Sequence, residues 1–414
     1  MAYQETFTTS YGSRLTGGFK GILIGFVMII IGTVLLWWNE GRTVKTSDAN
    51  KEAYKETTLV SDLSTINNTL NGKMIFSTGF ATTNDSLIDH EFNIGATAIK
   101  LIRTVEYYQW EEHSHSESKD KFGGSQETTI TYTYEKKWLS SPQNSAEFKD
   151  PEYKNRNFTL STIESETFLA PNVTIGAYKI PDFLSSQISG AQDIYIQLPK
   201  EKKQAFNTTA KNILQSKTNI SERPYQPNGE YVHVGGNRVY IGANPNDPAI
   251  GDVRITFQKI MPTDVSIWAK VVNNTFEEYV SDNGYKVSAI STGIQSLDKT
   301  FQDEQDSNTM TAWFFRLIGT LLVIYGLKYI FNIIVIILKI IPFLSSIANL
   351  GTNIVCGVVG TIWSLIVIAI AWIFYRPILA ITLLAAVGAL IFFLVKKARE
   401  KKKQNSEELV STTE

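Results

Sequence analysis

Three long apolar runs in the C-terminal quarter decide what this chain can fold into. Leu317–Leu327 (LIGTLLVIYGL), Ile354–Phe374 (IVCGVVGTIWSLIVIAIAWIF) and Ile378–Val395 (ILAITLLAAVGALIFFLV) contain no charged residue. The middle run has 21 residues; as a helix it covers about 31 Å, the thickness of a hydrocarbon core. A helix packed on a soluble core would carry an amphipathic stripe, and these runs carry none. The chain is expected to be an integral membrane protein.

Gly21–Trp38 (GILIGFVMIIIGTVLLWW) adds a fourth run, of 18 uncharged residues ending in two interface-suited tryptophans. It is followed by Asn-Glu-Gly-Arg and not by a small-residue cleavage site, so a retained span is favoured over a signal peptide. The expected fold class is α+β: four α-helical spans with a large β-rich, non-cytosolic domain between the first and second. The expected boundaries are a flexible N-terminus at 1–20, a first span at 21–38 and the domain at 39–312. A second span at 313–338, a third at 350–374 and a fourth at 377–395 follow, then a basic and polar tail at 396–414. The second span is interrupted by Lys328 and Asn332. It either runs to Leu338 or ends near Phe331, leaving an interfacial helix to Ile347.

Charge divides the chain by compartment. Residues 39–312 hold 27 Lys and Arg against 35 Asp and Glu, a balance of −8, and residues 313–414 hold 10 against 4, a balance of +6. The cluster at Lys396, Lys397, Arg399, Lys401, Lys402 and Lys403 follows the last span directly. The positive-inside bias therefore predicts both termini in the cytosol and the acidic domain in the lumen or periplasm. The cluster is too short to suggest nucleic-acid binding. The sole cysteine, Cys356, lies in an apolar run, so packing and strand pairing must hold the domain without disulfides.

Within the domain, Leu101–Glu111 and Thr128–Trp138 are rich in aromatic and β-branched residues and predict a long hairpin with an exposed tip. Asp282-Asn283-Gly284 is a type I′ hairpin signal between two further short strands. His113, His115 and Glu117 are the only clustered metal-ligand types, but a zinc site wants about four convergent ligands, so no metal is expected. Ser-x-x-Lys spacings such as Ser116/Lys119 and Ser296/Lys299 sit in charged sequence where the lysine would not be desolvated. No catalytic residue and no cofactor are expected.

The residues singled out lie at the ends of the spans. Asn39, Glu40 and Arg42 form one junction, Tyr375 and Arg376 another, and Lys328 and Asn332 interrupt the second span. They are candidates for contact with lipid headgroups. Gly357, Gly360, Ala369 and Ala371 are candidates for close helix packing.

These junctions carry a resemblance. Asn39–Thr46 (NEGRTVKT), Val105–Glu111 (VEYYQWE), Tyr132–Trp138 (YTYEKKW), Gly251–Phe257 (GDVRITF), Asn308–Trp313 (NTMTAW) and Ala371–Pro377 (AWIFYRP) resemble, in order, the LUMA or transmembrane protein 43 family. The resemblance implies four spans, a large luminal domain and no enzymatic activity. For an animal source it implies the endoplasmic reticulum and inner nuclear membrane, with self-association and emerin- or lamin-type partners. For a bacterial source it implies the cell membrane and only the architecture. The leading functional expectation is a non-enzymatic, self-associating membrane scaffold with lipids and further copies of itself as partners. A lipid- or ligand-binding sensor is the alternative, and a membrane-anchored Ser hydrolase a distant third.

Overall fold

The computed structural model describes residues 3–338, 342–378 and 381–382. They divide into two compact units: one from the N-terminal strand, Ala49–Lys119 and Gln126–Glu304, the other from Thr9–Asp48, Asp120–Ser125 and the chain from Gln305 onward.

The first unit is the β-rich one. Its principal strands are β1 (Tyr3–Thr9), β2 (Met74–Thr82), β3 (Lys100–Asp120), β4 (Gln126–Leu139), β5 (Val232–Gly235), β6 (Arg238–Ile241), β7 (Val253–Ile260), β8 (Thr263–Val272) and β9 (Ala289–Thr292). One sheet has the order β1-β4-β3-β7-β6-β5, with Val253 opposite Tyr107 and Ile260 opposite Lys100. Its register follows from period-2 burial: Val253, Ile255 and Phe257 point into one core with Val105 and Tyr107. The other sheet centres on β8, which pairs with β2 from Thr263↔Ala81 to Lys270↔Met74 and with β9 on its other side. Trp268 on β8 is fully buried and donates its indole N–H to Thr57 Oγ1 at 2.8 Å.

A carboxyl is enclosed beside β6 and β7. Asp252 Oδ2 accepts the Tyr240 hydroxyl at 2.5 Å and the Ala249 N–H at 2.8 Å. Only Gly242 fits beside it, because a Cβ there would lie 2.4 Å from Asp252 Cγ. Burial pushes Asp252 up to about 6. A folded state that holds this proton more tightly than the unfolded chain loses stability as pH rises from the ordinary carboxylate range through about 6. The cost above that window is on the order of 3 kcal/mol. Asp252→Asn is expected to flatten this slope, read from urea unfolding followed by tryptophan fluorescence between pH 4 and 7.5. An unchanged slope would sink the assignment.

The second unit holds the apolar helices: α1 (Tyr11–Glu56, whose end from Ala49 belongs to the first unit), α3 (Leu297–Leu338, joining at Gln305) and α4 (Pro342–Tyr375). The first unit has its own helix, α2 (Lys200–Ser216). Three helices among the described residues are long and apolar enough to cross a membrane, against the four expected. The fourth expected span, 377–395, falls largely outside the described residues, as does the 396–414 tail.

Three boundaries differ from the sequence reading. Where a flexible tail was expected at 1–20, Tyr3–Thr9 is an edge strand on β4 and α1 begins at Tyr11. The first helix does not end at Trp38: α1 continues to Glu56, where Ala49 and Ala53 pack under Trp268 and Phe76. The break considered near Phe331 is absent too, since α3 is one helix to Leu338. The turn at the hairpin tip is engaged: Arg14 sits 3.0 Å from Asp120 Oδ1 and donates to Gly124 O at 2.7 Å.

Candidate functional site

The strongest concentration of chemistry lies where the apolar stretches of α1, α3 and α4 end. Glu40 follows the Trp37-Trp38 pair on α1 and is fully buried. Arg316 on α3 grips it as a fork, Nε to Oε1 at 2.6 Å and Nη2 to Oε2 at 2.9 Å. Trp372 on α4 donates its indole N–H to the same Oε2 at 2.8 Å. The guanidinium also lies over the Trp313 ring at 4.9 Å and near Trp372 at 6.0 Å. Two parallel charge-assisted bonds satisfy the planar geometries of both groups, which is why arginine suits this place better than lysine.

Amides extend the cluster. Asn39 donates to Ala312 O at 3.0 Å, Thr43 to Asn39 O at 2.7 Å, and Asn308 to Thr43 O at 2.9 Å. Both amides are buried, and the Oδ1 atoms of Asn39 and Asn308 have no partner among the described residues. Gly41 is required here by close approach: a Cβ would lie 2.7 Å from the Tyr375 ring. Trp37 stands edge-on to Phe374 and Tyr375 at 5.2 and 5.9 Å.

Below this clamp the helices meet through glycine. A Cβ on Gly25 would lie 2.5 Å from Gly326 O, and one on Gly32 would lie 2.8 Å from Gly319 O. Seven residues on α1 thus face seven on α3 in antiparallel register, backbone against backbone. Leu36, Val323 and Val367 fill the space between the three helices.

The structure sorts the residues singled out from sequence. Asn39 and Glu40, read as lipid-facing, point into the helical interior instead, because α3 supplies their partners. Arg42 is half-buried near the Phe315 ring, and Arg376 lies 6.0 Å from the Trp372 ring. Tyr375 packs on Gly41 and Trp37. Lys328 and Asn332 line a cavity between α3 and α4. Gly360 packs on Ile324 and Ala371 is fully buried, whereas Gly357 has nothing within 4 Å and Ala369 is exposed. Sequence reasoning missed Arg316, Trp372 and the α1–α3 glycines. Two of these carried a signal: Arg316 is the single charged residue between Asp306 and Lys328, and Gly18, Gly25 and Gly32 recur every seven residues.

In the β-rich unit, His113 Nε2 lies 3.1 Å from Glu135 and 3.3 Å from Glu111, while His115 Nε2 lies 3.7 Å from Glu117. Lys137 Nζ sits 2.8 Å from that Glu111 carboxylate, and its hydrogen bond holds Glu111 below the usual carboxylate range. A metal ion would have to displace the lysine, so the trio does not read as a metal site.

The clamp, with both oxygens of its carboxylate engaged, can hold three helices together but cannot shuttle a proton as it stands. Comparison with known proteins points to one family of membrane proteins. Residues 107–377 match the family model described as Transmembrane protein 43. The chain is similar to Transmembrane protein 43 of Mus musculus, 25% identical over 94% of this chain and 92% of that protein. The Homo sapiens protein is 26% identical over 93% and 92%, and the Drosophila melanogaster homolog 27% over 88% and 91%. No solved structure matches.

Proposed function

The chain belongs to the transmembrane protein 43 family, and from that membership we propose that it is a non-enzymatic, self-associating membrane scaffold. Its apolar helices anchor it, and its β-rich domain organises the membrane or envelope by meeting further copies and partners. The observation that carries this reading is the Glu40–Arg316–Trp372 clamp. A fully buried carboxylate and the arginine that grips it are committed to holding three helices to one another. That arrangement suits a fixed anchor rather than a reaction centre. Among the described residues nothing covers Gly357 and Ala369 is exposed, which leaves room for a neighbouring helix to approach α4 closely.

Crosslinking in native membranes and light scattering of the detergent-solubilised full chain test the proposal. Dimers or larger assemblies are expected. A strictly monomeric protein with no crosslinked partner would overturn it. Residence in the endoplasmic reticulum and inner nuclear membrane, with emerin- or lamin-type partners, applies to a eukaryotic source. The cell membrane applies to a bacterial one.

Sidedness has its own test. The charge bias puts the N-terminus and the domain on opposite faces, while pairing of β1 with β4 needs Tyr3–Thr9 in the same compartment as β4. Thr6 and Thr129 hydroxyls are 3.2 Å apart across that pair. With β1 seated, Thr6→Cys and Thr129→Cys in a Cys356→Ser background are expected to react with an impermeant thiol reagent from the same face. Labelling from opposite faces would restore the charge-based topology.

A further inference from the structure

Between α3 and α4 lies a polar cavity of ≈ 160 Å³, lined by Tyr325, Lys328, Tyr329, Asn332, Val335, Thr352 and Asn353. Tyr325, Lys328, Tyr329 and Asn332 fall at helical spacing on one side of α3, and Thr352 and Asn353 reach in from α4. Lys328 is the only charged residue from Leu317 to Leu338, and Pro342–Tyr375 contains none. Its ammonium lies 5.1 Å from the Tyr325 ring centre. Among the described residues, none of the six polar side chains makes a hydrogen bond or ion pair.

Five polar side chains around one cation, without partners among the described residues, are costly in helices of hydrocarbon-spanning length. Phenol and threonine hydroxyls, two amide NH₂ groups and an ammonium together offer more donors than a carboxylate has acceptor sites. They suit the oxygens of a phosphate. At ≈ 160 Å³ the cavity has room for a phosphodiester group. Ile334, Ile337 and Leu338 on the same helix are exposed apolar side chains, an environment for acyl chains and not for a free ion.

We propose that this cavity is a binding site for the phosphate of an anionic phospholipid, with Lys328 as its counter-charge and Asn332, Tyr329 and Asn353 as donors to its oxygens. Basic pockets between membrane helices are a recurrent mode of headgroup recognition. The site needs only α3 and α4, so it stands whether or not the protein self-associates.

Native mass spectrometry of the full-length protein, released from micelles containing equal phosphatidylglycerol and phosphatidylcholine, tests the assignment. Wild type is expected to retain phosphatidylglycerol at least tenfold over phosphatidylcholine. Lys328→Met should remove that preference, Lys328→Arg should keep it, and Asn332→Leu should weaken it severalfold. Equal retention of the two lipids by wild type, or an unchanged preference in Lys328→Met, overturns the proposal. So does displacement of phosphatidylglycerol by millimolar inorganic phosphate, which would assign the cavity to the free ion. Should Lys328→Met fail to fold, Asn332→Leu and Tyr329→Phe in combination carry the test with the lysine in place. A preference unchanged in that pair overturns the proposal equally.

Discussion

Arg316→Ala is expected to destabilise the helical unit by about 3–5 kcal/mol, the cost of leaving one member of a buried ion pair without its partner. Glu40 would keep only the Trp372 indole N–H on one oxygen, in a position with no exposure to solvent. Arg316→Lys keeps the charge but not the fork, so its loss is expected to be intermediate. Glu40→Gln retains an acceptor for Trp372 and strands the guanidinium, so it should fall near Arg316→Ala. The decisive comparison is the double variant Glu40→Leu/Arg316→Met. Replacing both members by apolar groups of similar size removes the desolvation cost together with the attraction, and most of the lost stability is expected to return. Cys356, the only cysteine and 1% exposed, provides the readout. Heating the detergent-solubilised protein with a thiol-reactive fluorophore reports when α4 comes free. If Arg316→Ala melts like wild type, or if the double variant is as damaged as either single one, the clamp does not hold the helices.

The clamp also marks how far the sequence could be read. The apolar runs are set by the thickness of a bilayer and therefore declare themselves locally; α3 and α4 contain Leu317–Leu327 and Ile354–Phe374 as helix. The long hairpin declares itself as well, because aromatic and β-branched residues at alternating positions leave few other choices. Glu40 was different. Beside Arg42 and after two tryptophans, its local surroundings are those of an interfacial residue, and only a partner 276 positions later makes it an interior one. Tyr3–Thr9 failed for the same reason: a short Thr-rich segment has no face of its own to bury and becomes a strand only where the edge of β4 receives it. The polar stretch from Asn39 to Glu56 stays helical for a tertiary reason, the packing of Ala49 and Ala53 against Trp268. Local pattern recovered what is fixed by solvent; long-range pairing fixed the rest.

The glycine contacts between α1 and α3 lead to the second large effect. A methyl group on Gly25 would meet the carbonyl oxygen of Gly326 at 2.5 Å, and one on Gly326 would meet Gly25 O at 2.7 Å. A flexible side chain could turn aside; a helix carbonyl cannot, because it is held in its own hydrogen bond. The helices must therefore separate along the whole contact, weakening the packing of Leu36 and Val323 as well. Gly25→Ala is expected to cost about 1–3 kcal/mol, the usual range for overpacking, and Gly25→Leu more. Gly17 supplies the control: it lies on the same helix with nothing within 4 Å, so Gly17→Ala should be neutral or gain up to about 1 kcal/mol from helix propensity. Gly25→Ala and Gly326→Ala should also combine to less than their sum. Once the first methyl has pushed the helices apart, the second enters space already opened. Thermal release of Cys356 measures all of these variants on one scale. Equal melting of Gly25→Ala and Gly17→Ala would mean that the two backbones do not meet as described, whereas full additivity would mean that each glycine acts through a separate contact.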